Sequence, residues 1–514
     1  MGALLAEDLQ ETPIDRLLRS EQEWETPVER YAKIYDAKKG AISTPFFQDL
    51  VPLNVPGENE QYAFEVNLDA CSGCKACVSA CHSLNGLDST EAWRDVGTLS
   101  GGDRTNPFLQ TVTTACHHCE EPACMHGCPV LAYEKDPITG IVLHLDDQCI
   151  GCSYCVLKCP YDVPKYNPSL GIVRKCDLCH NRMAKHEAPA CAQACPTEAI
   201  KVTIVQQGLP DRCVKDFLPD TIDPGYTRPT TQYITKKEIP ENAIAGDHFA
   251  LHPQHAHWSL IFLLVFTQAS VGFSVASLFT LGNPLNTWIA LALGLTGLGL
   301  GTFHLGKPLK AWRSFLGWRR SWLSREIIAF GAYIKVLALA VGIPIFFPQW
   351  KFALQGSIVS AALLGILGVY CSVMIYVDTQ RILWRFSRSG IRFFGTVALS
   401  AASGLALTGS TLGTLALIPL LFLKLGYELQ FLKAKNHPTF TPDKESALIQ
   451  LNEKLRLGIR FVLGLVALCL LIPSYPTLAG IAFVLILTGE HLERYFYFRS
   501  VVAPKMPGGI QSGC

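Results

Sequence analysis

Sixteen of the chain's 20 cysteines fall between Cys71 and Cys195, and their spacing constrains the fold more than any other feature. They form four groups: CSGCKACVSAC (71–81), CHHCEEPACMHGCP (116–129), CIGCSYCVLKCP (149–160) and CDLCHNRMAKHEAPACAQACP (176–196). The first and third read C-x2-C-x2-C-x3-C; the second has four residues before its third cysteine and the fourth has eleven. Every group closes on an x3 step, and all but the first, where His82 stands, continue into proline. Three closely spaced thiolates can hold three irons of a [4Fe–4S] cube while the fourth cysteine ligates the neighbouring cluster. Zinc is the competing reading, but it usually takes two CxxC pairs per ion and has no need of the extra steps. Sixteen thiols suit four [4Fe–4S] clusters, with no ligand replaced as a three-iron variant would require. A secreted disulfide scaffold would be shorter. The first 30 residues are acidic, without an apolar h-region or twin arginine, so no export signal is expected.

The charge divides the chain in two. Residues 1–247 carry 35 acids and 22 bases, whereas residues 248–514 carry 8 and 22. From Trp258 the sequence becomes a series of apolar runs, near 258–281, 286–305, 327–347, 352–377, 392–410, 412–427, 457–473 and 476–492. A spanning helix needs about 20 mainly apolar residues, and the last two runs are somewhat short. None has a polar face, and Gly, Ser and Thr are frequent inside them, as close packing in lipid favours. The connections after the first, third, fifth and seventh runs hold one basic residue, Lys351; the connection after the second alone holds six. That bias puts the basic side in the cytoplasm, and with eight spans it puts the cysteine domain and both termini there too. The expected location is the cytoplasmic (inner) membrane, multi-pass, with no nucleic-acid partner.

The cysteine groups, with their short second and long fourth gaps, resemble the four-cluster electron-transfer subunit of the dimethyl-sulfoxide-reductase family of molybdenum enzymes over roughly residues 60–235. In that family groups one and four exchange last cysteines, as do groups two and three. The resemblance therefore implies one cluster on Cys71, Cys74, Cys77 and Cys195, paired with one on Cys176, Cys179, Cys191 and Cys81. The other pair takes Cys116, Cys119, Cys124 with Cys159, and Cys149, Cys152, Cys155 with Cys128. With every iron held by thiolate, the domain is a wire rather than a catalyst. Lys75, Lys158 and Lys175 stand beside ligands, either as ordinary surface lysines or as groups that tune potentials. Cys213, Cys371 and Cys469 read as structural thiols, and Cys514 belongs to a frayed tail.

In the apolar half, HLGKPLKAW (304–312) and SWLSREI (321–327) resemble segments of the eight-span membrane anchor of the same family. YVDTQRILW (376–384) and GEHLERYFY (489–497) resemble later ones. In the family the histidine and glutamate of the first two segments are implicated in menaquinol binding and oxidation. That makes His304 and Glu326 the candidate quinol site. The plainer alternative is a satisfied helix-end histidine and an anion at a helix N-terminus. No haem is expected, because the spans offer only His304 and His491, each at a span end. Away from the span ends only Lys335 is a clear intramembrane ionisable group.

The expected fold is an α+β multi-cluster ferredoxin-like domain followed by an all-α eight-helix transmembrane bundle. Its expected parts are a helical extension (1–60, with helical spacing over 13–36), the cluster domain (61–205), a linker (206–257) and the anchor (258–514). Strand-like runs YAFEVNL, IVLHL and IKVTIV flank the cysteine groups. The resemblance implies passage of electrons from menaquinol through four [4Fe–4S] clusters to a separate molybdopterin-containing catalytic subunit, as in anaerobic respiration. Membrane lipid and the quinone pool are the other partners. Reverse flow, a polysulfide-reductase-like anchor, and a non-turnover scaffold or redox sensor are the alternatives.

Overall fold

The computed structural model describes residue 33, residues 50–208 except 90, and residues 217–508 except 220, 281, 282 and 474. The helix expected over 13–36, apart from Lys33, and Cys213 and Cys514 lie outside the described residues. In chain order the N-terminal half runs β1 (Glu60–Asn67), α1 (Ala76–Asn85), β2 (Asp95–Gly102), β3 (Pro107–Thr114), α2 (Ala123–Gly127), β4 (Tyr133–Lys135) and β5 (Val142–His144). It continues with α3 (Tyr154–Lys158), β6 (Lys165–Asn167), β7 (Ile172–Arg174), α4 (His180–Met183), α5 (Ala190–Gln193), β8 (Ile200–Gln206), β9 (Gln232–Ile234) and β10 (Ile244–Ala245). All three strand-like runs are strands.

β1 pairs antiparallel with β8 from Glu60↔Gln206 to Val66↔Ile200, so the ends of the cysteine region are zipped together. Alternation along β8 turns Ile200 and Val202 into the core. The segment expected as a linker contributes β9, parallel to β1, and β10, antiparallel to β2. Its described part is woven into the sheets. Strands of two or three residues give too short a pattern to separate from a Pro-rich connection.

The C-terminal half is helical: α6 (Trp258–Ser277), α7 (Leu285–Thr302), α8 (Trp322–Phe346), α9 (Lys351–Val377), α10 (Phe386–Leu407), α11 (Thr411–Leu432), α12 (Pro442–Asn452), α13 (Lys454–Leu471) and α14 (Pro476–Arg499). Six of these, α6 to α11, are long and apolar enough to cross a membrane. α13 and α14 are also long, but charged residues lower their apolar character: Lys454, Arg456 and Arg460 in α13, and Glu490, Glu493 and Arg494 in α14. α8 and α10 begin about a turn and a half before the expected span starts. Their basic residues there have protein partners: Arg325 bonds the carbonyls of Trp318 and Arg319, and Arg388 pairs with Asp443. Helices meet at small residues, as at Gly272 of α6, where a Cβ would lie 2.5 Å from the Val397 carbonyl oxygen of α10.

The two halves are docked through backbone and side chains. Lys307 N donates to Ile150 O at 3.0 Å, Gly317 N to Pro129 O at 2.8 Å, and Tyr154 Oη to Ile375 O at 3.1 Å. After α14 the chain returns to the cysteine domain, where Met506 is buried in the core and Thr98 N donates to Gly508 O at 3.0 Å.

Candidate functional site

The first two cysteines of each group are joined by a turn whose second intervening residue is left-handed: Gly73, His118, Gly151 and Leu178, with φ of 76°, 41°, 68° and 56°. Such φ values are uncommon for non-glycine residues and costly for a bulky one. Repetition of the turn in all four groups marks it as part of the site. The short helices α2, α3 and α5 then run from the third cysteine to just before the fourth, whereas α1 carries both Cys77 and Cys81 and continues to Asn85.

Four sets of thiols result, each drawing on two groups. Cys71, Cys74, Cys77 and Cys195 line one cavity, and Cys81, Cys176, Cys179 and Cys191 line the next. Cys116, Cys119, Cys124 and Cys159 line a third. Cys128, Cys149 and Cys155 share a core with half-buried Cys152. Among the described residues, no three His, Cys, Asp or Glu side chains converge on a point suited to a single metal ion. Four thiols from two groups lining one cavity are a donor set that fits a [4Fe–4S] cube. Burial raises the pKa of the Cys81, Cys152 and Cys159 thiols to about 12, so metal must supply the positive charge that makes them thiolates.

The surroundings fit an anionic group. Arg94 is 2% exposed and lies beside Cys77, Cys81, Cys176 and Cys191, with Nε and Nη2 unpartnered and Nη1 on Thr113 Oγ1 at 3.2 Å. Nothing in its sequence setting signals this role. Of the three flagged lysines, Lys158 and Lys175 are buried and Lys75 is exposed. Lys175 Nζ approaches Cys116 Sγ at 3.8 Å and donates to Cys176 O at 2.8 Å. Backbone N–H groups of Ala132, Gly151 and Ala199 point at the sulfurs of Cys128, Cys149 and Cys195 at 3.3–3.4 Å.

The Cys128 set faces the helical half. His304 lies two residues beyond the end of α7, and the adjacent Leu305 packs into the core that holds these cysteines. Gly306, Gly171 and Gly151 stack backbone on backbone; a Cβ on Gly306 would lie 2.1 Å from Gly171 O. The His304 ring, half-buried, bonds the Gly301 carbonyl through Nδ1. A carbonyl only accepts, so Nδ1 carries the proton and Nε2 is left as a base. Burial holds the His304 pKa below its ordinary value, and His257 stands nearby.

Glu326 is the fifth residue of α8, 6% exposed, and accepts a bond from Ser372 Oγ of α9. At the start of its helix, Ser321 Oγ donates to Gly127 O at 2.7 Å and Ser324 Oγ to Pro129 O at 3.5 Å, on either side of Cys128. The His304 and Glu326 segments thus both rest on the Cys128 set. No hydrogen bond or ion pair joins His304 to Glu326 among the described residues.

Lys335, midway along α8, is exposed on the outside of the bundle. Besides Glu326, the buried charges of these helices include Arg392 of α10, Lys424 of α11, Arg460 of α13 and Glu490, Glu493 and Arg494 of α14. Lys424 Nζ pairs with Glu490, Arg460 Nη2 bonds Glu490 Oε1 at 3.0 Å and Glu428 Oε1 at 2.7 Å, and Arg392 Nη1 bonds Glu493 Oε1 at 2.9 Å.

Comparison with known proteins places this geometry. Residues 108–205 match the model of a 4Fe-4S dicluster domain, and residues 251–499 match that of the DMSO reductase anchor subunit (DmsC). A subunit of the anaerobic dimethyl sulfoxide reductase of Escherichia coli (strain K12) is 37% identical over 148 residues, covering 27% of this chain and 72% of that protein. The chain belongs to the dimethyl sulfoxide reductase family. It is an iron–sulfur electron-transfer subunit of that family, fused to the family's membrane anchor. Also similar is YnfG of the same strain, a probable anaerobic dimethyl sulfoxide reductase component, 35% identical over 155 residues, 29% of this chain and 75% of that one. Hydrogenase-2 operon protein HybA of Escherichia coli O157:H7 is 36% identical over 158 residues, 25% of this chain and 48% of its own length. The family's two components are thus one polypeptide here, and six apolar helices make it a multi-pass membrane protein.

Proposed function

We propose that this fused subunit oxidises menaquinol at His304 and Glu326 and delivers the electrons, through four [4Fe–4S] clusters, to a separate molybdopterin-containing catalytic subunit. What supports it is the seating of both segments on one cysteine set, so that quinol at His304 and Glu326 would lie beside the first acceptor. The cluster ligands are Cys149, Cys152, Cys155 with Cys128; Cys116, Cys119, Cys124 with Cys159; Cys176, Cys179, Cys191 with Cys81; and Cys71, Cys74, Cys77 with Cys195. When bound, the clusters supply one-electron carriers in series. The protein's own part is proton handling: His304 Nε2 accepts one quinol proton and the Glu326 carboxylate, oriented by Ser372, accepts the other.

All eight long helices span the membrane in this reading, with α13 and α14 admitted because their charges are paired inside the bundle. The basic connections lie in the cytoplasm, as do the cysteine domain and both termini. Glu326→Gln keeps the shape and removes the base. Quinol-driven cluster reduction is expected to fall about 10²–10⁴-fold, with dithionite-reduced spectra unchanged. A rate equal to that of the parent would refute the site.

A further inference from the structure

Arg381 belongs to the connection between α9 and α10, yet its guanidinium lies at the cysteine domain. Nη2 donates to Leu157 O at 3.4 Å, and the guanidinium carbon sits 4.9 Å from the Trp384 ring centre. The group lines one cavity with Cys159 and Asp162 and is 5% exposed, with Nε and Nη1 unpartnered. The nearby carboxylates are engaged elsewhere: Asp162 holds Lys165 at 2.6 Å, and Asp378 holds Lys158 at 2.8 Å. A buried cation with idle donors is strongly unfavourable unless negative charge stands beside it. Asp162 supplies part of that charge while also holding Lys165, and Cys159, as a thiolate of an iron–sulfur cluster, is the other group placed to supply it.

We propose that Arg381 is a positioning residue for the cluster on Cys116, Cys119, Cys124 and Cys159: the membrane half reaches across the interface and raises that cluster's midpoint potential. Each added electron makes a cluster more negative, so a fixed cation stabilises the reduced form. The same connection fixes the geometry. Lys158 Nζ donates to Asp378 O at 2.7 Å and Tyr226 Oη at 2.6 Å, and Tyr154 Oη holds Ile375 O. Helix α3, which leads from Cys155 to Cys159, is therefore clamped to the segment that carries Arg381. The potential takes its working value only when the two halves are docked.

The inference rests on the ligand assignment above but not on the quinol site, because the test is an equilibrium titration with chemical mediators. Full-length R381Q, R381M, R381L and R381K are titrated in membranes by EPR, with iron content measured in each. In the neutral variants one cluster's midpoint should fall by at least tenfold in equilibrium constant, about 59 mV for one electron. The other three should hold, and R381K should stay within that margin. Selective loss of one cluster signal in all three neutral variants would also support the assignment. Four unmoved midpoints, an equal fall at all four, or failure of every neutral variant to accumulate would overturn it. A failed Glu326→Gln test beside a positive result here would sink the quinol site alone.

Discussion

Gly306 sits where the His304 connection touches the cysteine domain, and replacing it by alanine tests whether that contact holds the proposed proton-accepting groups in register with the quinol. A Cβ there would lie 2.1 Å from Gly171 O, 2.6 Å from its carbonyl carbon and 2.8 Å from its Cα. All three are backbone atoms, so no side chain can swing aside. Reaching even 3.0 Å from the oxygen requires the surfaces to part by at least about 0.9 Å, roughly the misplacement that costs about 10²-fold when reacting groups are held in register. Gly171 is hemmed in from the other side as well, because its carbonyl also bounds Gly151, between Cys149 and Cys152. Overpacking of this kind also costs about 1–3 kcal/mol. In stopped-flow reduction by a menaquinol analogue, G306A should slow about 10²-fold while dithionite still reduces every cluster. G299A, with nothing within 4 Å of its new methyl, is the control that should be silent. A G306A rate within about twofold of the parent, with clusters complete, would refute the reasoning.

Two further perturbations separate chemistry from stability. Because burial holds His304 below its ordinary value of 6.5, its imidazole stays neutral as pH falls through that value. Protonation of His304 should therefore add a fall in quinol-driven kcat/KM centred below pH 6.5, beside any fall from Glu326, and H304Q should remove that component; a profile unchanged in H304Q would contradict the assignment. E490Q leaves Lys424 and Arg460 without their shared carboxylate inside the bundle and should destabilise it by about 3–5 kcal/mol. Thermal denaturation in detergent checks this; a loss below about 1 kcal/mol would show that the network carries little of the packing.

The cluster domain is legible because ligand spacing is local: four x3 steps and three Cys-Pro ends survive any folding of the intervening chain. The exchange of Cys81 with Cys195 and of Cys128 with Cys159 comes from family resemblance, since spacing alone does not say which groups meet. Gly73 and Gly151 announce their left-handed turns, whereas His118 and Leu178 adopt the same φ with no glycine to signal it. Arg94 sits in a stretch with no ligand pattern, and only the fold brings its guanidinium to four cysteines. The charged network is hidden for a related reason. Arg392, Arg460 and Glu490 each lie near a span end, where a charge reads as interfacial, and only the packing of α10, α11, α13 and α14 shows them joined. Lys335 is the reverse case, central in its span and yet turned outward.

The return of residues 501–508 to the cysteine domain has a consequence for biosynthesis. Met506 fills a place in a core built from residues translated some four hundred positions earlier, and Gly508 closes a hydrogen bond left open at Thr98. A ribosome therefore releases the keystone of the first domain only after every membrane helix has been made. The core that Met506 completes is closed only after the helices α6 to α14 have been made, although most of its residues come first in the sequence.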